Sequence, residues 1–392
     1  MADASAPPPA LRTLIEDIAQ KQNYNNPQLT ITPLSTGGGN YTSELFLITV
    51  TAPGHEDLRL FAKVANVNGK IRDEGPITKC YETERFVYGS LVDIFSKIEE
   101  KNSVAVEHRL RFPKYYGCNP KLLEETIVLE DLGARGFDTH DRLKSIDWLY
   151  AATAVAELAK FHALSFAYQE ENPEEFAQVI KERKFEFGSD ERMKVMWEGM
   201  VREAVGACRE ESRARLAKYL MDNVKRVRDY YEPLRRPVLV HGDYRPSNLM
   251  HKIRPDGSVE MIPVDWQMVR AGCLATDLMY LIFTGSDAAF RASHYTALLE
   301  EYYRQLCAAL RRLKLDPEAV YPREDFDYEL EQSLPYGLLL SVFVLPLVTV
   351  EAANAPKLDK LMSYDDWKVK TSSVFSDRIN GVVDDYVAWG IL

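Results

Sequence analysis

The sequence predicts an α+β chain in two lobes, a small β-rich lobe followed by a large, mainly helical one, with a cleft between them. Three observations predict it. Strand-like runs at Tyr41–Val50, Leu58–Ala65 and Thr126–Glu130 all fall early in the chain, whereas helical patterning dominates from Ser145 onward. A single Asp-Gly hairpin signal interrupts that helical part. With 392 residues, the chain is long enough for two separate cores. The expected division is a first lobe over 11–131 and a second over 132–392. Met1–Ala10, rich in Ala and Pro, is expected to be disordered.

Leu11–Gln22 has the spacing of a short amphipathic helix, and the first two strands are joined by a turn at Pro53-Gly54. A helix is expected over Ile77–Ile98, then the strand Thr126–Glu130, with the lobe ending near Asp131–Leu132. Ser145–Tyr168 reads as a long helix with Ser145 as its N-cap. Glu170–Tyr231 is charge-rich and helical. Leu334–Val350 is the most apolar run, but it contains Pro335 and Pro346 and is short for a membrane span, so it reads as a buried helix.

The formal net charge of −11 argues against nucleic acid or an anionic membrane surface as partner. Cys80, Cys118, Cys208, Cys273 and Cys307 form no CxxC pair and no His/Cys cluster, which fits a reduced, cytoplasmic protein without structural zinc. The chain opens with no secretory pattern.

The chemistry concentrates in residues 241 to 267: His241-Gly242-Asp243-Tyr244-Arg245-Pro246-Ser247-Asn248, a hairpin, then Asp265-Trp266-Gln267. In phosphoryl transfer by protein kinases, an Asp accepts the proton of the acceptor hydroxyl, and an Asn and a second Asp hold Mg²⁺. Asp243, Asn248 and Asp265 supply those types in that order. With Asp256 and Gly257 as the central turn residues, antiparallel pairing sets Asn248 opposite Asp265, two oxygen donors at one hairpin end.

Other segments complete the set. Ser35–Ser43 includes Gly37-Gly38-Gly39-Asn40, a turn whose backbone N–H groups would approach phosphate oxygens. Lys63 is the single charge in the strand core Leu60–Ala65 and would reach the phosphates. Its partner is expected to be Glu84, which shares a helix face with Tyr81, Tyr88 and Leu91; Glu82 lies on another face and is the weaker candidate. Main-chain atoms of Glu130 and Leu132, between the lobes, are candidates to hold an adenine edge. His162 and Asp277 read as structural, Asp277 as a support under the 241–248 loop.

Together these segments resemble the aminoglycoside phosphotransferase and choline kinase superfamily, and within it the ecdysteroid-kinase-like group, over about residues 30 to 385. The resemblance rests on Gly39-Asn40-Tyr41-Thr42-Ser43, Glu84-Arg85-Phe86-Val87-Tyr88, Leu129-Glu130-Asp131-Leu132, Leu158–Tyr168, the His241-Gly242-Asp243 loop, Asp265-Trp266-Gln267 and Asp277-Leu278. It implies a bilobal protein-kinase-like fold and MgATP-dependent phosphorylation of a small-molecule hydroxyl. Asp243 is then the base, Asn248 and Asp265 the Mg²⁺ ligands, and Lys63, held by Glu84, a phosphate contact; Gly38, Gly39, Asn40 and Ser43 complete the nucleotide site. Group members act on moulting steroids at a side-chain hydroxyl. Two departures stand out: Trp266 replaces the usual Phe, and Gly242 stands where protein kinases carry Arg. The second implies no anchor for a phosphorylated loop, hence constitutive activity.

The acceptor is less legible. An ecdysteroid needs an extended apolar pocket, and Leu334–Val350 with Trp148–Tyr168 would line one or serve as core. The alternative is a kinase for choline, ethanolamine or a foreign alcohol in detoxification; choline would need an aromatic cage, and aminoglycosides a dense acidic surface. A catalytically silent ligand-binding relative is the other alternative; the joint presence of Lys63, Asp243, Asn248 and Asp265 argues against it.

Overall fold

In the computed structural model, described for residues 7–35, 43–65, 72, 77–185, 190–354 and 371–392, the expected bilobal α+β architecture is present. Helix α1 (Pro9–Lys21) opens it with Pro9 in its first turn, where a missing N–H costs nothing. Pro9 and Ala10 therefore belong to a helix, contrary to the expectation of disorder to residue 10.

Five antiparallel strands follow: β1 (Gln28–Leu34), β2 (Ser43–Thr51), β3 (Leu58–Ala65), β4 (Tyr115–Asn119) and β5 (Thr126–Glu130), in the spatial order β1-β2-β3-β5-β4. β3 and β5 have the expected bounds. β1 and β4 carry no clear strand signal: one is polar and contains Pro33, which suits an edge strand, and the other contains Gly117. Alternation decides which way Lys63 points. Phe46, Ile48, Leu60, Ala62 and Val64 pack on α1, so Lys63, between Ala62 and Val64, faces the opposite side.

On that side lies the expected Ile77–Ile98 helix, but it is not continuous. α2 (Ile77–Phe86) passes through a π-helical turn at Val87–Leu91 into α3 (Val92–Lys101). The extra residue in that turn shifts the helical phase just beyond Glu84. α2 rests on the Trp266–Met268 turn of the second lobe.

The second lobe begins with α4 (Trp148–Glu171). Its N-cap is Asp147, which accepts from Tyr150 N–H at 2.8 Å, and not Ser145, whose Oγ accepts from Asp287 N–H instead. Helices α5 (Pro173–Glu182), α6 (Asp190–Ala207) and α7 (Glu210–Asn223) follow. Strand β6 (Val238–Val240), too short to show a period, leads into the 241–248 loop. β7 (Leu249–Ile253) and β8 (Val259–Pro263) form the expected hairpin, and β9 (Arg270–Gly272) returns to pair with β6. Then come α8 (Ala275–Gly285), α9 (Ala288–Arg312), α10 (Arg323–Phe343) and α11 (Ser373–Ala388). The apolar run Leu334–Val350 ends α10 with Pro335 inside it, and Leu338, Leu339, Leu340, Val342 and Leu345 are all core. Among the described residues no helix is long and apolar enough to cross a membrane.

The hairpin register differs by one residue from the expected one. Leu249 pairs with Pro263, and Val264 N–H donates to Asn248 O, so Asn248 faces Val264 rather than Asp265. The turn is a three-residue loop. Arg254 N–H donates to Ser258 O, Gly257 N–H donates to Arg254 O, and Gly257 takes φ +82°. Pro255 explains the choice: its fixed φ suits the first central position of a type I turn, which then needs a left-handed glycine to close.

Candidate active site

Lys63 is the meeting point of the two lobes. Its Nζ donates to Glu84 Oε2 at 2.9 Å, to Asp265 Oδ1 at 2.5 Å and to Gln267 Oε1 at 3.1 Å. β3 supplies the ammonium, α2 one carboxylate and the turn after β8 the other. Burial alone would pull the Lys63 pKa down, but Asp265 and Glu84 outweigh it and hold the ammonium above its ordinary value. Burial pushes Glu84 up against the opposing pull of Lys63. For Asp265 burial acts in the same upward sense, but Lys63 and then Arg245 outweigh it, leaving that carboxyl below its usual range. Glu82 is on the outer face, beside Lys79. Above the ammonium, Tyr81 presents its ring at 6.0 Å and shares a 2.7 Å hydrogen bond with Ser43 Oγ. Burial pushes the thiol of Cys80, on the same helix, up to about 12.

Asp265 is held in the left-handed region, φ 64° and ψ 56°, where a short polar side chain is tolerated. That conformation turns the chain directly after β8 and aims the carboxylate at Lys63. Trp266, in the place of the usual Phe, is fully buried against Phe112, Phe161 and His241, and its indole N–H donates to Pro263 O at 3.1 Å. The larger ring is therefore accommodated without an orphaned donor.

The loop 241–248 is fixed from beneath by Asp277 at the start of α8. One carboxylate oxygen accepts from His241 N–H at 2.7 Å and the other from Gly242 N–H at 2.9 Å, as the expected support. His162 Nε2 adds a third bond at 3.2 Å, and its Nδ1 meets Tyr302 Oη at 2.6 Å, the packing role expected of it. Burial works against the Asp277 charge, yet His162 and the loop amides outweigh it and keep its pKa low. His241 is neutral, its pKa lowered by burial. Its Nε2 lies 3.1 Å from Val264 O, which only accepts, so the proton sits on Nε2 and Nδ1 accepts from Asp243 N–H at 3.3 Å.

Asp243 reaches the cleft with 13 % of its side chain exposed. Asn248 Nδ2 donates to Asp243 O and Oδ2, both at 2.9 Å, which closes the loop and turns Asn248 Oδ1 the other way. Arg245 Nε lies 3.1 Å from both Asp243 oxygens and its Nη1 donates to Ser247 Oγ at 2.7 Å. Burial opposes the Arg245 charge, but Asp243 outweighs it and holds the guanidinium above its usual pKa. Arg245 and Gln267 were visible in the sequence within the two key strings, yet nothing in their spacing shows that they touch Asp243 and Lys63.

Gly38, Gly39 and Asn40 lie outside the described residues. At the interlobe strand, Glu130 N–H is committed to Lys114 O at 2.8 Å, and its side chain pairs with Arg135. Leu132 O accepts from Arg135 and Phe137 N–H, and its side chain packs with Phe137 and Ile262. An adenine edge held here would use the Glu130 carbonyl and the Leu132 N–H.

Gly242 has φ +79°, and a Cβ added there would lie 2.5 Å from Met268 O and collide with the Arg270 guanidinium. The position next to Asp243 thus carries a guanidinium after all, supplied from β9 rather than by residue 242. Gly242→Ala is expected to lose at least ~1–2 kcal/mol from the left-handed backbone alone. A denaturation midpoint equal to that of the unsubstituted protein would contradict this.

No curated protein matches the chain. Among solved structures, the GDP complex of wild-type aminoglycoside 2'-phosphotransferase-IIIa is similar, with 12% identity, 97% of this chain and 99% of that chain covered, and a TM-score of 0.43. Glucosamine kinase in complex with glucosamine, ADP and inorganic phosphate is similar at 13% identity, 88% and 81% coverage, and a TM-score of 0.37. An aminoglycoside-3'-phosphotransferase of type VIII shows 18% identity, 78% and 99% coverage, and a TM-score of 0.38. The model of the ecdysteroid kinase-like family matches residues 37–315, a span that contains Lys63, Glu84, Asp243, Asn248, Asp265 and Asp277. With that match across most of its length, this chain belongs to the ecdysteroid kinase-like family.

Proposed function

We propose that this protein transfers the γ-phosphate of ATP to the hydroxyl of a small-molecule alcohol, with an ecdysteroid side-chain hydroxyl as the favoured acceptor. The observation that carries the reading is the convergence of Lys63, Glu84 and Asp265 at one point, beside a loop that presents Asp243 and Asn248. Lys63 neutralises and orients the nucleotide phosphates, and Glu84 fixes its ammonium. Asp243 orients the acceptor hydroxyl and accepts its proton as the bond to phosphorus forms. Arg245 holds the Asp243 carboxylate in one orientation. Transfer of this kind proceeds through a loose transition state, so positioning and charge neutralisation carry most of the catalysis.

The donor set fits Mg²⁺. Asn248 Oδ1 and the Asp265 carboxylate are hard oxygen ligands on facing segments, and with phosphate oxygens they suit a cation that binds few protein groups. Mg²⁺ held there supplies charge neutralisation to the phosphates. The preference for an ecdysteroid comes from family membership, and the choice among alcohols is a matter for a substrate panel.

Mass spectrometry after incubation with MgATP and ecdysone, 20-hydroxyecdysone, choline, ethanolamine or an aminoglycoside tests the proposal, with Asp243→Asn as control. Phosphate is expected on an ecdysteroid with the unsubstituted protein only. Phosphate on another alcohol keeps the kinase and discards the steroid. No phosphorylated alcohol despite ATP binding counts against the kinase reading itself.

A further inference from the structure

Arg270 is a buried charge that the proposed mechanism does not use. Only 2 % of it is exposed, and among the described residues no carboxylate lies within ion-pair distance. Its Nε has no hydrogen-bond partner, and its Nη1 has only a long contact to Met268 O at 3.4 Å. By contrast Arg245, on the 241–248 loop, has the Asp243 carboxylate. Burying a guanidinium costs several kcal/mol unless it is paired, and the Tyr231 ring, 4.3 Å from its Cζ, offsets a fraction of that.

The position of this charge is built into the fold. Arg270 pairs with Val240 across β9 and β6, which sets its side chain beside Gly242, and the absent side chain at 242 leaves the space it fills. The guanidinium therefore lies against the residue that precedes Asp243. Its other side is aromatic: Tyr231 covers it, and Tyr336 stands 6.2 Å from Tyr231, ring to ring. Tyr231 is half-buried, ends the segment Val224–Tyr231 and also packs against Phe185.

We propose that Arg270 is an anion-recognition residue of the acceptor site, taking a carboxylate, sulfate or phosphate group carried by the alcohol while its hydroxyl lies at Asp243. A planar fork of donors suits such a group bidentately. The proposal rests on the kinase reading for the identity of the site and requires the Tyr231 ring to turn aside; it replaces the uncharged ecdysteroid favoured on family membership by an alcohol that bears an acid group, and it selects against cationic acceptors such as amino alcohols, which would bring a second positive charge to Arg270.

The test reads binding, so it does not require turnover. Calorimetry compares the steroid carboxylate cholate, below its micellar concentration, with its uncharged methyl ester. A second arm compares the thermal midpoint in sodium sulfate and in sodium chloride at equal ionic strength. Each is run on the unsubstituted protein, Arg270→Met and Arg270→Lys, with circular dichroism to confirm folding; Arg270→Lys carries the comparison if Arg270→Met does not fold. Cholate is expected to bind roughly 10- to 100-fold more tightly than the ester, with the ratio near one in Arg270→Met and intermediate in Arg270→Lys. A sulfate effect that depends on Arg270, without a preference for cholate, supports the anion site and assigns it to a free inorganic anion. Equal behaviour of the three proteins in both arms overturns it. Absence of any phosphorylated alcohol with MgATP would instead count against the kinase reading, which these arms leave untouched.

Discussion

Asp243→Asn is expected to reduce kcat by roughly 10²–10⁴, the range over which a positioned proton acceptor contributes. The loss should fall on kcat because the Asp243 carboxylate touches Arg245 and Asn248 and has no contact with Lys63 or Glu84. ATP affinity, measured by calorimetry, should stay within a few-fold of the unsubstituted protein. The amide is nearly isosteric and still accepts one hydrogen bond from Asn248 or Arg245, so the loop keeps its shape while the proton loses its destination. A variant with nearly full kcat would falsify the assignment of Asp243 as base. A variant that loses ATP binding would show that the residue serves the nucleotide instead.

Lys63→Met is expected to remove activity and also to destabilise the fold. Methionine fills much the same volume, but it leaves Glu84, whose side chain is 2 % exposed, without its cation. Removing one partner of a buried pair typically costs about 3–5 kcal/mol. Here the cost should sit at the low end, because Asp265 is 24 % exposed and water screens it. The pH dependence separates this cause from a packing defect. In the unsubstituted protein Glu84 has a raised pKa, so its contribution is largest at low pH and declines as pH rises. Asp265 has a lowered pKa and contributes above the ordinary Asp value, with loss on acidification. The two trends partly cancel. Without Lys63 both carboxylates move up, so both favour the fold in their protonated forms. The deficit of the variant should therefore shrink between about pH 8 and pH 5. Melting temperatures of both proteins across that range check it; a deficit independent of pH would assign the loss to packing.

What sequence reading captured here was local. β3 and β5 are short, largely apolar runs, and the single charge in the core of β3, together with helical spacing at Tyr81, Glu84, Tyr88 and Leu91, was enough to pair Lys63 with Glu84 from the sequence. The spacing of Asp243 and Asn248 made them neighbours on one loop, and Asp277 was expected as a support under that loop, where it lies.

Errors of one or two residues arose where two local signals competed. Ser145 and Asp147 are both good caps, and the helix begins where Tyr150 N–H meets an oxygen. Asp-Gly alone argues for a two-residue turn, but Pro255 before it changes the loop length and moves Asn248 opposite Val264. Both outcomes depend on short-range geometry that propensity ranks without resolving.

The sequence by itself determined the two-lobe α+β division, the order of the candidate site residues and the face on which Glu84 lies. Only the tertiary structure decided that Asp265 and Gln267 share Lys63, that Arg245 grips Asp243, and that Arg270 occupies the space left by Gly242. The physical reason is range. Periodicity and spacing report what a residue does within a turn or two of its own chain, whereas Lys63 and Asp265 meet across 202 positions. No local pattern encodes which charge another segment will bring to that point, or which buried charge will be left without one.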